Sequence, residues 1–313
     1  MARAFVFPGQ GSQAVGMGRD LAAAFPAARE VFQEVDDALG QNLSRLMFEG
    51  PEPDLVLTEN AQPALMAVSM AVVRVVEKEA GHKVGQVASF VAGHSLGEYS
   101  ALAAAGTFSL ADAARLLKAR GQAMQKAVPV GQGAMAAVLG LGLDAVRAAT
   151  EEASQGEACQ AANDNSDEQV VISGAAAAVA RAAELAKAKG AKRAIMLPVS
   201  APFHCALMEP AARVMEEKLG MVAMAPPSVP VIANVTASAV TDPAEIRRLL
   251  VEQVTALVRW RESILYMRAH DVDTVVELGA GKVLSGLAKR ISKDMNALSV
   301  GAPGDIEALI KLF

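Results

Sequence analysis

Ser95 stands in the sequence Gly93, His94, Ser95, Leu96, Gly97, a G-x-S-x-G pattern between an apolar run at residues 87–92 and an Ala-rich stretch at 98–105. The run reads as a buried strand and the stretch as a helix, so the serine falls at a strand-to-helix reversal, the setting of a nucleophile elbow. Such a turn crowds the backbone; Gly93 and Gly97 leave room, and the Ser95 hydroxyl is left exposed. The first N–H groups of the helix that follows face the negative charge that develops on an attacked carbonyl. The chemistry on offer is acyl transfer through serine. The competing reading is a structural serine in a glycine turn.

A base has to come from elsewhere in the chain. Of the four histidines, His82 follows Gly81 in a polar connection, His270 sits at a charged helix end, and His94 adjoins Ser95 with its side chain expected to point away. His204 lies in a loop well downstream, the chain order of a serine hydrolase. It reads either as a general base or as a hydrogen-bonded residue at a domain boundary. Cys205 beside it reads as a small buried hydrophobe, and no acid that would complete a triad stands out. Gly9 and Gly11 open a loop after an N-terminal strand. Residues 9–14 fit G-x-G-x-x-A, but a dinucleotide site also needs a second strand ending in an acid about 20 residues on, where this chain reads as helix. The alternative is that the glycines let backbone N–H groups approach a substrate oxygen. Arg120 lies inside a helix and on composition alone reads as solvated or ion-paired.

These residues need a framework. The 313 residues are 52% hydrophobic and 20% charged with a net charge of -5, enough for one large core or a core plus a small second domain. No cluster of Lys and Arg interleaved with aromatics points to nucleic acid. The apolar stretch at 64–76 contains Ser69 and Arg74 and is too short to span a bilayer, so no membrane partner is expected. Cys159 and Cys205 have no metal or disulfide spacing and no signal peptide precedes the first strand, which together predict a reducing cytoplasm. No metal is expected: the acids at 163–167 lack the Gly and terminal Glu of a calcium loop and read as a hairpin turn, and residues 279–282 fail the P-loop pattern.

The periodicity predicts helices over 17–39, 58–80, from Ser109 to about 128, 208–219, 243–258 and 260–270, with strands at 229–234 and 274–278. Between Lys126 and Leu197 the order changes to strand, helix, strand, strand, helix, strand, which matches a ferredoxin-like unit. The expected architecture is therefore α/β: an α/β-hydrolase-like catalytic subdomain with a parallel sheet (1–125 and 198–313) carrying an inserted ferredoxin-like small subdomain (126–197).

Taken in order, residues 7–13 (FPGQGSQ), 93–101 (GHSLGEYSA), Arg120, Asn163 and Asn165 with 170–174 (VVISG), Ser200 to His204, and 250–253 (LVEQ) closely resemble the malonyl-CoA:acyl-carrier-protein transacylases. The resemblance covers essentially the whole chain. It implies Ser95 as nucleophile, His204 as its base, and Gln10 and Leu96 as backbone N–H donors to the oxyanion. It further implies that Arg120 binds the malonyl carboxylate and that Gln253 orients His204 through its main-chain carbonyl, in place of the missing acid. Malonyl-CoA and acyl carrier protein are the implied partners, and no cofactor is implied. Phe203 beside His204 resembles the Phe-His pair of malonyl-selective acyltransferase domains in polyketide synthases. Since no synthase domains flank this chain, a free-standing enzyme of fatty acid synthesis is expected, with a serine thioesterase or esterase, or a polyketide-type acyltransferase, as alternatives.

Overall fold

The structure is a computed structural model and describes residues 2–311. Its strands are β1 (Ala2–Phe7), β2 (Phe90–Gly93), β3 (Gly133–Leu139), β4 (Cys159–Ser166), β5 (Gln169–Ala175), β6 (Arg193–Met196), β7 (Val231–Ala233), β8 (Ser238–Val240), β9 (Val272–Leu278) and β10 (Asn296–Val300). They form two sheets. The larger has the order β10-β9-β1-β2-β7-β8, parallel throughout except for the antiparallel edge strand β8. Helices cover both faces, which is why β1 is apolar on both. Phe5 and Phe7 enter one core with the helix Thr58–Ala80, while Ala4 and Val6 enter another with Trp260, Ile264 and Leu284.

The smaller sheet, β4-β5-β3-β6, is antiparallel and carries the helices Leu143–Ser154 and Ala176–Ala188, giving the ferredoxin-like order. Period-2 alternation sorts its residues. Ala136, Val138, Val170 and Ile172 pack against its own helices, whereas Met135, Ala137 and Val171 join the large core. Backbone bonds tie the two sheets' surroundings together: Asp164 N–H donates to Val258 O (2.9 Å) and Val258 N–H to Ala162 O (2.9 Å). The Arg261 guanidinium adds an ion pair to the buried Asp164 carboxylate at 3.0 Å.

Several local expectations change. Residues 163–166 belong to β4 and not to a turn, because β5 pairs with one edge of this strand and Val258 with the other. For the same reason the helix at 243 ends at Gln253 (Pro243–Gln253), freeing Val258 for that pairing. The stretch 17–39 breaks into Arg19–Ala24 and Pro26–Leu39, with extended Phe25 before Pro26, as the residue before a proline is pushed out of the helical region. Val87 closes a short helix (Val84–Val87) instead of opening β2, and β7 is shorter than 229–234. Among the described residues no helix is long and apolar enough to cross a membrane.

The helix Leu110–Ala127, which carries Arg120, is placed by a close contact with the helix Thr58–Ala80. A Cβ on Gly121 would lie 2.5 Å from Glu59 Cα and 2.6 Å from Thr58 O. Gly121→Ala gains roughly 1 kcal/mol in helix propensity, but the obstacle is backbone and cannot swing away. Overpacking of about 1–3 kcal/mol or more should win. A lowered urea midpoint is expected, and an unchanged or raised one would show that the helices can part freely.

Candidate active site

The carboxyl ends of β1 and β2 meet at a cavity of about 520 Å³ between the two sheets, with Gln10, Ser95, Leu96, Arg120, Phe203 and His204 on its wall. Ser95 follows β2 and precedes the helix Leu96–Ala104. The reversal is tight: a Cβ on Gly93 would lie 1.9 Å from Gly97 C, and one on Gly97 would lie 2.2 Å from Phe7 O. Ser95 itself has φ 53°, ψ -110°, a sparsely populated conformation for a side-chain-bearing residue, costing on the order of 1–3 kcal/mol. As N-cap it makes no side-chain capping bond, which leaves Oγ for other partners.

Those partners are His204 and Arg120. His204 Nε2 is 2.8 Å from Ser95 Oγ, and His204 Nδ1 is 2.9 Å from Gln253 O. A carbonyl only accepts, so Nδ1 carries the proton and Nε2 is left to accept from the serine hydroxyl. Arg120 Nη2 donates to the same Oγ at 3.1 Å. On composition alone Arg120 reads as solvated or ion-paired, yet it is 1% exposed. Its other bonds go to Gln62 Oε1 (2.9 Å) and Gln253 Oε1 (3.0 Å), and Nε has no partner. Among the described residues no carboxylate pairs with this guanidinium; the aromatic face of Tyr99 lies 5.7 Å away.

Gln253 is wholly buried and serves twice. Besides its carbonyl on His204, its side-chain Nε2 donates to Ser95 O (3.0 Å) and Glu98 Oε2 (2.8 Å). Since Arg120 can only donate and a Glu98 carboxylate accepts, the amide orientation is dictated. Gln10 lies on the glycine loop, whose Gly9 abuts His94: a Cβ there would lie 2.9 Å from His94 O. No helix starts on that loop, since the first begins at Arg19, so the dinucleotide arrangement is absent. His94 turns away from the serine hydroxyl, with Nε2 2.9 Å from Asn165 Oδ1 and its ring beside Trp260.

Three comparisons bear on this geometry. The family described as the acyl transferase domain matches residues 4–300. A Bacillus subtilis (strain 168) protein named malonyl CoA-acyl carrier protein transacylase is 47% identical over 309 residues, 98% of this chain and 96% of its own length. The chain belongs to this acyltransferase family. Among solved structures, the acyl-carrier-protein-S-malonyltransferase of Bartonella henselae has TM-score 0.97 at 58% identity, covering 100% of this chain and 99% of that one. A malonyl-transacylase in complex with its type II PKS acyl-carrier protein has TM-score 0.96 at 43% identity, with 100% of both chains covered.

Glu98 and Asn234 escaped the sequence reading. Glu98 is an acid in a helical first turn and Asn234 a polar residue ending a strand; the signal in each is only a polar group where burial is expected. Burial pushes the Glu98 carboxyl up to about 7, against hydrogen bonds from Asn234 and Gln253 and the charge of Arg120, which pull it down. His204 is held down at about 3, first by burial and then by the Arg120 charge, so the imidazole is neutral at pH 7 and able to accept a proton.

These shifts act oppositely on stability. His204 falls from its ordinary 6.5 to about 3 on folding, so the unfolded chain takes up that proton first and stability declines as pH drops through this window. The raised Glu98 contributes stability fully present below its ordinary 4.5 and lost as pH rises through about 7. The histidine effect is therefore unopposed by Glu98 below about 4.5. His204→Gln should lose less stability than the wild type between pH 4.5 and 3.5 in urea titrations. Equal losses would mean that the folded histidine protonates normally.

Proposed function

We propose that this acyltransferase moves the malonyl group of malonyl-CoA to the pantetheine thiol of acyl carrier protein through an ester on Ser95, supplying fatty acid synthesis. The observation that carries the malonyl assignment is the buried Arg120 guanidinium, hydrogen-bonded to the nucleophile and paired directly with no carboxylate among the described residues. A buried charge without a counter-ion is costly, and a bound dicarboxylic half-thioester would supply one. In a malonyl ester the free carboxylate is two bonds from the acyl carbon, so a guanidinium one hydrogen bond from Oγ lies within its reach. The planar fork suits that carboxylate in a way that a lysine would not.

In this reading His204 Nε2 takes the proton from Ser95 Oγ as the oxygen attacks the thioester carbonyl. The Leu96 N–H at the start of its helix and the Gln10 N–H face the resulting oxyanion. The Ser95 N–H is already committed to Asn234 Oδ1 at 2.8 Å, which supports assigning that duty to the next residue. Coenzyme A leaves as its thiol, receiving the proton from His204. The carrier-protein thiol gives a proton to the same nitrogen and attacks the ester carbonyl; the bond to Ser95 Oγ breaks, Oγ takes that proton back, and malonyl leaves as the carrier-protein thioester. Gln253 O holds the Nδ1–H tautomer throughout. Burial is the larger cause of the weak His204 base; the malonyl carboxylate offsets the second cause, the Arg120 charge, so the base strengthens when the correct acyl group is in place. We place the reaction in the cytoplasm, a reading supported by the two buried free thiols, Cys159 and Cys205.

Incubation with malonyl-CoA followed by digestion should yield a malonyl ester on the peptide containing Ser95, discharged faster by carrier protein than by water. Arg120→Ala should lower kcat/KM for malonyl transfer roughly 100-fold, the scale of a lost charged hydrogen-bond pair, and spare acetyl transfer. Equal losses with malonyl-CoA and acetyl-CoA would remove the carboxylate role.

A further inference from the structure

We infer that Asn234, at the carboxyl end of β7, is a positioning residue for acyl transfer: one amide side chain pins the two peptide units on either side of His94 and so holds the Ser95 elbow. The inference rests on the reading of Ser95 as nucleophile.

The sheet register places this residue. Val91 is level with Val231 and Ala92 with Ile232 in the parallel β2–β7 pair, so continuing the count brings Asn234 level with His94. From there Nδ2 donates to Gly93 O at 2.7 Å and Oδ1 accepts from Ser95 N–H at 2.8 Å. The first bond fixes the peptide unit before His94 and the second the unit after it, the one from which Ser95 turns into its positive-φ conformation. The backbone of Asn234 completes the brace. Its N–H donates to Glu98 Oε2 at 3.0 Å, one turn into the helix after the elbow, and its carbonyl accepts from Arg259 N–H at 3.1 Å. Asn234 is wholly buried, and all four of its polar groups are engaged, three of them with residues 93, 95 and 98.

Few side chains can do this. An apolar residue would leave a buried carbonyl and a buried N–H without partners. An aspartate could accept from Ser95 N–H but would present a carboxylate with nothing to donate to Gly93 O. The brace also decides which donors remain for an oxyanion, because it withdraws the Ser95 N–H and leaves that of Leu96. A displaced elbow would move Oγ off its line to His204, and misplacement of about 1 Å costs on the order of 100-fold in rate.

The test separates acylation from binding. Acylation of Ser95 by malonyl-CoA is timed by quenched flow for the wild type, Asn234→Ala and Asn234→Asp, and malonyl-CoA affinity is measured by calorimetry with the same substitutions in a Ser95→Ala background. We expect Asn234→Ala to slow acylation about 100-fold with affinity within twofold, and Asn234→Asp to be intermediate. If Asn234→Ala is too unstable to assay, the aspartate variant carries the comparison, slowed at least tenfold with affinity retained. Acylation within threefold of wild type in the variant assayed, or affinity falling in step with rate, would overturn the inference. The small ester p-nitrophenyl acetate is run in parallel. If the wild type accepts its acetyl group but no malonyl group, the malonyl reading fails, while the acetylation rates of the variants still decide the role of Asn234.

Discussion

Arg120 brings a positive charge into the wall of the cavity and meets two amides and a hydroxyl there instead of an anion. Much of the surrounding chemistry is organised by that imbalance. Gln253 must turn its oxygen toward the guanidinium, which sends its nitrogen to Ser95 O and Glu98. Burial pushes the Glu98 carboxyl, one amide further back, up to about 7, and the Arg120 charge that it does not touch offsets part of this. Burial makes His204 a weaker base, and the same field adds to it. Charge, amide and acid thus form a row behind the serine, and its charged end lines the cavity.

The second constraint is steric. The elbow brings a helix start onto the ends of two strands so closely that neither Gly93 nor Gly97 can carry a side chain without meeting backbone. Ser95 accepts an unfavourable conformation as the result, and surrounding bonds hold it. A parallel sheet suits this task because its strands finish on the same side. β1 delivers the glycine loop, β2 the serine and β7 Asn234 to one rim, with no long loop needed to span the distance.

Residue type and context made part of this legible in the sequence. Glycines around a serine between an apolar run and an alanine-rich one have few other uses, and His204 stood out because the other histidines had ordinary settings. The alternation of strands and helices between 126 and 197 pointed to the order of the smaller sheet. What stayed hidden depends on contacts between distant segments. Arg120 looks like any helical arginine until Gly121 brings its helix against Thr58 and Glu59. Residues 163–166 have turn composition and are held as strand by β5 on one edge and by Val258, from nearly a hundred residues away, on the other. Asn234 and Glu98 carry no local mark beyond a polar group where burial is expected, since their meaning lies in the β2–β7 register.

β1 occupies the middle of the large sheet, between β2 and β9, although it precedes both in the chain and β9 begins only at Val272. During synthesis one edge of an apolar strand therefore waits for a partner until most of the chain has left the ribosome. Unpaired strand edges with apolar faces invite wrong pairings. The stretch of chain between β1 and β9 is the longest that separates any two paired strands of this sheet, so the edge left waiting belongs to the strand that carries the glycine loop to the candidate site.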